Sequence, residues 1–292
     1  MDDIRPLTAT GPLEFGIAAD GFVRWALVDL GAIVEETRDR LDLSPIAAAA
    51  LGRAEAAAVL LLRLAVKAPT RLLLEIVGDG PLRSVLAEVD VEGHLRGTVG
   101  HPRVDLPAGP GGKLAVGPAV GKGLLRVTRE SVGDVRYSSQ VELVSGEIGL
   151  DVAHYLEQSE QTSSAVLVGV LTKPQGVAAA GGMIVEALPG APDEALARLE
   201  ANLAGLPGIS LLLEQGGTSA VREAVLAGLD LEIVDQRILR HACRCSRERI
   251  RIHLAQLTPE DRAELRAADD HLEAGCVFCG NRFRFGEGEL GG

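Results

Sequence analysis

Apolar and polar positions alternate through the first 190 or so residues in short runs broken by glycine, and this period predicts strands. Residues 22–30 and 72–77 are apolar runs, and 82–91, 95–99, 124–128 and 135–143 follow, separated by Gly-containing turns. Residues 165–171 and 177–188 complete the series, the second carrying Gly181-Gly182. Two stretches have a helical period. Ser44-Pro45 supplies an N-cap and a first-turn proline to an alanine- and leucine-rich run expected to be helical through Lys67, and 147–161 suits a second helix. The pattern predicts an α+β protein whose N-terminal domain, residues 1–190, is mixed α/β, with β-sheets and packed helices.

From about residue 191 to 228 the pattern changes to short helical pieces. Leu196, Leu199 and Leu203 make one apolar stripe, Gly205-Leu206-Pro207-Gly208 breaks it, and Gly216-Gly217 precedes a third piece capped by Thr218 or Ser219. A strand-like run over 231–239 follows. Each piece has little apolar face of its own, so residues 191–240 are expected to form a helical, metastable linker that depends on what it packs against, either an ordinary connection between two domains or a conformational switch.

At 292 residues, with 47% hydrophobic and 24% charged, the chain has the composition of a globular protein of one large or two to three smaller domains. Only eight residues are Phe, Trp or Tyr, so the core is expected to be aliphatic and few rings are available to stack on bases. A formal net charge of -12 argues against a nucleic-acid partner and against an anionic membrane surface. The most apolar helical stretch, 46–66, is interrupted by Arg53, Glu55 and Arg63, which suits a buried helix better than a membrane span. Asp2 and Asp3 stand where a secretory signal has basic residues, so a cytoplasmic location is expected.

All four cysteines lie in the last fifty residues, at Cys243, Cys245, Cys276 and Cys279. The pattern is C-x-C, thirty intervening residues, then C-x2-C, two close pairs able to converge on one ion and give zinc a tetrahedral shell of four thiolates. A secreted disulfide framework also uses an even number of cysteines, but it accompanies a small domain and a signal peptide. Ser246 can cap a helix over 246–257 carrying Ile250, Leu254 and Leu257, and Thr258, Pro259 and Asp261 open another that Leu265 continues. Gly275 to Gly280 suits the turn of a zinc knuckle, followed by alternating Arg282, Phe283, Arg284 and Phe285. Residues 241–292 therefore read as a small C-terminal zinc-binding module closed by a hairpin. His241, His253 and His271 are expected near the surface or behind the ligands. Arg244, Arg247, Arg249 and Arg282 have two readings, as solvated faces or as cations that favour thiolates.

Nothing outside the cysteines argues for an enzyme. Gly117 to Gly123 fails as a phosphate loop because only three residues separate its first two glycines and Gly123 stands where Ser or Thr belongs. Gly78-Asp79-Gly80 reads as a tight turn, there is no Gly-x-Ser-x-Gly elbow, and His94, His101 and His154 lack an acid-base motif. Two other classes compete. A nucleic-acid or ribosome-associated zinc module has the arginines in its favour, but residues 246–273 hold seven acids against five arginines. A thiol oxidoreductase using Cys276 and Cys279 would place its C-x2-C at the start of a helix.

The C-x-C followed by Ser246-Arg247-Glu248, and Cys276-Val277-Phe278-Cys279-Gly280-Asn281, resemble the redox-regulated chaperonins of the thirty-three-kilodalton heat-shock family. So do Ser44-Pro45, Ala50-Leu51-Gly52-Arg53, Gly78-Asp79-Gly80-Pro81-Leu82, Arg96-Gly97, Ala180-Gly181-Gly182, Leu188-Pro189-Gly190-Ala191 and, above all, Tyr155-Leu156-Glu157-Gln158-Ser159-Glu160-Gln161. Phe283 departs from a frequent Tyr, and the stretch around Cys243 is unusually basic. The resemblance implies an ATP-independent holdase for unfolding client proteins under oxidative and heat stress. It implies one zinc ion on Cys243, Cys245, Cys276 and Cys279 in an inactive, reduced monomer. It further implies that oxidation pairs Cys243 with Cys245 and Cys276 with Cys279, releases zinc, unfolds module and linker, and yields an active homodimer.

Overall fold

The computed structural model describes residues 2–65, 69–131, 133, 135–258, 261–262 and 271–290. Along the chain, β1 (Thr10–Ala18) and β2 (Val23–Asp29) are followed by α1 (Gly31–Leu41) and α2 (Pro45–Leu64). Next come β3 (Arg71–Gly78), β4 (Ser84–Asp90), β5 (His94–Val99), α3 (Val116–Val120), β6 (Gly123–Ser131) and β7 (Val135–Glu142). Then α4 (Gly149–Tyr155), β8 (Ser164–Lys173), β9 (Gly176–Ala187), α5 (Asp193–Ala204), α6 (Ile209–Val225) and β10 (Leu231–His241) lead to α7 (Arg247–Ala255) and the hairpin of β11 (Leu272–Gly275) and β12 (Arg282–Phe285).

Ten strands form one sheet in the order β7-β6-β3-β4-β5-β10-β1-β2-β9-β8. Its two halves are antiparallel, and they meet where β10 runs parallel to β5 through just two residue pairs, Arg240↔His94 and His241↔Leu95. The strand-like run expected at 231–239 is therefore a central strand, held on its other side by the full length of β1.

Helices cover both faces of β2, β9 and β8, while β10 at the seam is largely exposed. On one face lies α2, started as expected by Ser44, whose Oγ accepts from the Ala47 N–H at 3.3 Å, with Pro45 in the first turn. Its alanines let the helix approach the strands closely, and Leu51, Leu60, Leu72, Leu74 and Ile76 are buried beside them in the main core. This is the one helix among the described residues long and apolar enough to cross a membrane, and 83% of its apolar window is buried in the fold. On the other face α5 and α6, bent 118° from each other, lay Leu199, Ile209, Leu212, Leu213, Val221 and Val225 on Trp25, Leu27, Met183 and Val185. Gly216 and Gly217 break α6 internally, as the sequence suggested, and Gly217 takes a φ of 61°.

The strands expected between 72 and 188 are all present, and the helix expected at 147–161 appears as α4 continued by a π turn over Leu156–Glu160. Tyr155 is buried there, its hydroxyl 2.8 Å from Ser139 Oγ and donating to Glu160 at 3.0 Å. Gly78-Asp79-Gly80 is a turn packed on the second glycine-rich loop, where Asp79 Oδ1 accepts from the Lys122 N–H at 2.7 Å. The helix α2 ends at Leu64; Lys67 lies outside the described residues. Thr258 does cap a helical start, its Oγ accepting from the Asp261 N–H at 3.1 Å, while Pro259 and Leu265 lie outside the described residues.

Candidate metal centre

The site is assembled from two chain segments. β10 ends at His241, and the chain leaves the sheet as an extended stretch carrying Cys243 and Cys245 before Ser246 caps α7, its Oγ accepting from the Arg249 N–H at 3.2 Å. Cys276 and Cys279 sit in the turn between β11 and β12, closed by hydrogen bonds from the Cys276 N–H to the Asn281 carbonyl and from the Gly280 N–H to the Cys276 carbonyl, both 2.9 Å. Gly280 has a φ of 69°, which glycine adopts without strain.

The structure brings the four predicted sulfurs together, all within 4.8 Å of one another. Cys243 and Cys276 Sγ lie 3.6 Å apart and Cys245 and Cys279 Sγ 3.4 Å. A tetrahedral ion with Zn–S bonds of about 2.3 Å sets its sulfurs about 3.8 Å apart, whereas a disulfide needs about 2.0 Å. The cluster thus has the size of a metal shell of reduced thiols. Its electrostatics agree. Hydrogen bonds from Cys276 and Cys279 pull the Cys243 thiol far below its usual range. Hydrogen bonds with Cys243 and Cys276 push Cys279 far up, and burial pushes Cys245 up to about 12. A divalent cation is what allows four such crowded thiols to ionise together, so the residues fit zinc.

Among the described residues the core of the module is Leu254, Leu272, Phe283, Phe285 and Leu290. What it has besides is contact with the body. Asp3 and Arg282 exchange backbone hydrogen bonds at 3.0 Å, which lays the N-terminal arm along β12, and Asp2 accepts from the Arg284 N–H at 3.0 Å and from Arg247. In α1, Arg40 is only 5% exposed; it donates to the carbonyls of Arg5, Pro6 and Cys279, the last at 3.3 Å. On the opposite side Glu88 of β4 takes ion pairs from Arg71, Arg96 and Arg244. Arg96 also places Nη1 4.0 Å from Cys243 Sγ and stacks its guanidinium 4.2 Å from the centre of the Phe278 ring.

The flanking arginines are therefore occupied elsewhere: Arg244 with Glu88, Arg247 with Asp2 and Glu289, Arg249 with the Arg244 carbonyl, Arg282 with Glu273. The cation beside a sulfur is Arg96, 147 positions from Cys243 in sequence, and no local signal marks it for that role. Among the described residues no histidine joins the thiol cluster. His241 is buried, its Nδ1 2.7 Å from Glu36, and burial holds it below the usual imidazole range. His94 belongs to the β4–β5 turn, where Asp90 Oδ1 accepts from the His94 N–H at 3.0 Å.

A family profile described as Hsp33 protein matches residues 13–286. A 33 kDa chaperonin of Thermus thermophilus is 46% identical over 291 residues, covering 96% of this chain and 85% of that protein. The 33 kDa chaperonin of Symbiobacterium thermophilum is 44% identical, with 94% of each chain covered. The crystal structure of the Thermotoga maritima 33 kDa chaperonin superposes with a TM-score of 0.85 at 35% identity over 96% of both chains. On sequence and fold alike, this chain belongs to the Hsp33 family of chaperones.

Proposed function

We propose that this chaperone is an ATP-independent holdase switched by its own thiols: inactive and monomeric when reduced and zinc-bound, and active, as a homodimer in the cytoplasm, after oxidation. The observation that carries this reading is the four-sulfur cluster, 4.8 Å or less across, beside a core of five buried residues among those described. Zinc held by Cys243, Cys245, Cys276 and Cys279 supplies folding free energy, on the order of 10 kcal/mol in small modules.

Oxidation to Cys243–Cys245 and Cys276–Cys279 disulfides would pair neighbours in sequence and abandon the contacts across the cluster, Cys243 to Cys276 and Cys245 to Cys279. Unfolding of the module frees the C-terminal end of β10, which has only two ladder pairs with β5. The segment directly upstream of β10 is α6, so once the β1–β10 ladder also opens, loosening passes to α5 and α6. Their departure uncovers Leu199, Ile209, Leu212 and Leu213 together with the Trp25 face of the sheet, an apolar surface suited to unfolded chains. An oxidoreductase role finds less support, since the C-x2-C pair lies in a hairpin turn and Cys279 is fully buried.

The test is to follow zinc and free thiols while the reduced protein is titrated with peroxide, then map the disulfides by peptide mass spectrometry. One zinc per chain leaving as four thiols disappear, with sequence-neighbour pairs recovered, supports the switch. Zinc that stays bound after complete thiol loss overturns it.

A further inference from the structure

We propose that Arg96, a residue of the body on β5, is a positioning residue for the thiol cluster: its guanidinium covers the Cys243 sulfur while the module is docked and so sets how fast that thiol reacts with a peroxide. The proposal deepens the thiol-switch reading and rests on it.

Every edge of this guanidinium is assigned. Nε and Nη2 donate to Glu88 Oε2 at 3.1 and 2.6 Å, Nη1 points at Cys243 Sγ at 4.0 Å, and the Phe278 ring covers one face. Arg96 is 18% exposed and Glu88 12%, and Glu88 is itself held by Arg71 at 3.2 Å and by Arg244. The fork is thus fixed from the sheet side and cannot swing away while the module is seated. Phe278 lies between Cys276 and Cys279, so one side chain of the body touches both halves of the cluster.

Chemistry gives this contact a consequence. Oxidation begins when the Cys243 sulfur uses a lone pair to attack a peroxide oxygen; the O–O bond breaks, hydroxide leaves and the sulfur becomes a sulfenic acid. A second cysteine thiol then attacks that sulfur, the S–S bond forms, and the hydroxyl departs as water with the thiol proton. A lone pair engaged by an N–H donor is a poorer nucleophile, and partners outside the ligand shell tune ligand reactivity in the same manner. Neutral sulfenic or disulfide sulfur in turn offers a cation a weaker acceptor than thiolate, so oxidation weakens the contact that docking maintains. The two effects are reciprocal: docking protects the thiol, and the reduced thiol favours docking.

The full-length, reduced, zinc-loaded protein tests this with a chromogenic zinc chelator reporting release under a fixed peroxide dose, together with mapped alkylation of Cys243 by iodoacetamide. Arg96→Ala is expected to release zinc about tenfold faster and to alkylate faster at Cys243, the scale of outer-shell changes. Arg96→Lys, which keeps a cation without the fork, is expected to fall between, and it carries the test if the alanine variant folds poorly. Arg244→Ala removes another ion pair to Glu88 without baring a sulfur, and is expected to change the rate about twofold, the scale of a half-exposed ion pair. Unchanged rates in both Arg96 variants, or an Arg244→Ala rate equal to that of Arg96→Ala, overturn the proposal. A parent chain that holds no zinc instead overturns the switch itself.

Discussion

The carbonyl of Cys279 accepts a hydrogen bond from Arg40 at 3.3 Å, and the residue after it, Gly280, lies so close to α1 that a Cβ there would stand 2.6 Å from the Arg40 carbonyl oxygen. The turn carrying Cys276 and Cys279 and the last turn of a body helix are thus packed backbone to backbone, and only glycine fits between them. Gly280→Ala adds left-handed strain of about 1–2 kcal/mol at φ 69° to that clash. If the module folds around zinc as proposed, the cost is expected as a zinc affinity at least about tenfold weaker in competition with a chelator. An affinity equal to the parent's would mean that the knuckle does not need this turn.

The N-terminal arm is the second tie. Removing residues 1–5 deletes the backbone pair between Asp3 and Arg282 and the Asp2 carboxylate that accepts from Arg284 and Arg247. Amide hydrogen exchange at Arg282 and Arg284 is expected to speed up by an order of magnitude or more in the reduced protein, while exchange in β3 and β4 stays as it was. Unaltered protection of β12 would show that the arm only lies against the module.

Glu55 gives the body a pH dependence of its own. It is fully buried in the middle of α2, neither carboxyl oxygen has a hydrogen-bond partner among the described residues, and burial pushes its pKa to about 8 from an ordinary 4.5. Gly97 on β5 faces it so closely that a Cβ there would lie 2.7 Å from Oε1. Between pH 4.5 and 8 the folded chain keeps a proton that the unfolded chain has lost, so stability falls as pH rises through that window and levels off above it. The size is on the order of a few kcal/mol. Glu55→Leu is expected to remove most of this slope, raising the denaturant midpoint clearly at about pH 8 and little at about pH 5. Equal shifts at both pH values would contradict a buried neutral acid.

The cysteines make a related prediction. Cys279 is the most buried of the four, and Cys279→Ser leaves three thiolates for the ion. The variant is expected to lose zinc and the ordered β11–β12 hairpin, while far-UV circular dichroism retains the helices of the body. A hairpin that survives without metal would show that Phe283, Phe285 and their neighbours suffice to fold it.

How much of this was legible in the chain follows from what each signal depends on. Local signals carried well: the Ser44-Pro45 start of α2, the alternation of β3 to β9, the Ser246 cap and each of the two close cysteine pairs are read within a few residues. β1 was not anticipated, because Gly11, Pro12, the buried Glu14 and Gly16 interrupt its alternation. Nor was α1, which opens at Leu30 without a side-chain cap and is rich in charge over Glu35 to Arg40. The expected arginines flank the thiols in sequence yet spend their charges on Glu88, Asp2 and Glu273, whereas Arg96 and Arg40 reach the site through tertiary folding alone. A long-range contact of that kind leaves no periodicity to read.

The central claim, that thiol state controls chaperone action, is tested most directly by light scattering from a heat-unfolded client protein mixed with this chain, either reduced and zinc-loaded or treated with peroxide at raised temperature, with released zinc measured in the same samples. The account predicts that only the oxidised protein suppresses scattering, in proportion to about one zinc lost per chain. Equal suppression by the reduced form, or zinc loss with no suppression, would contradict it.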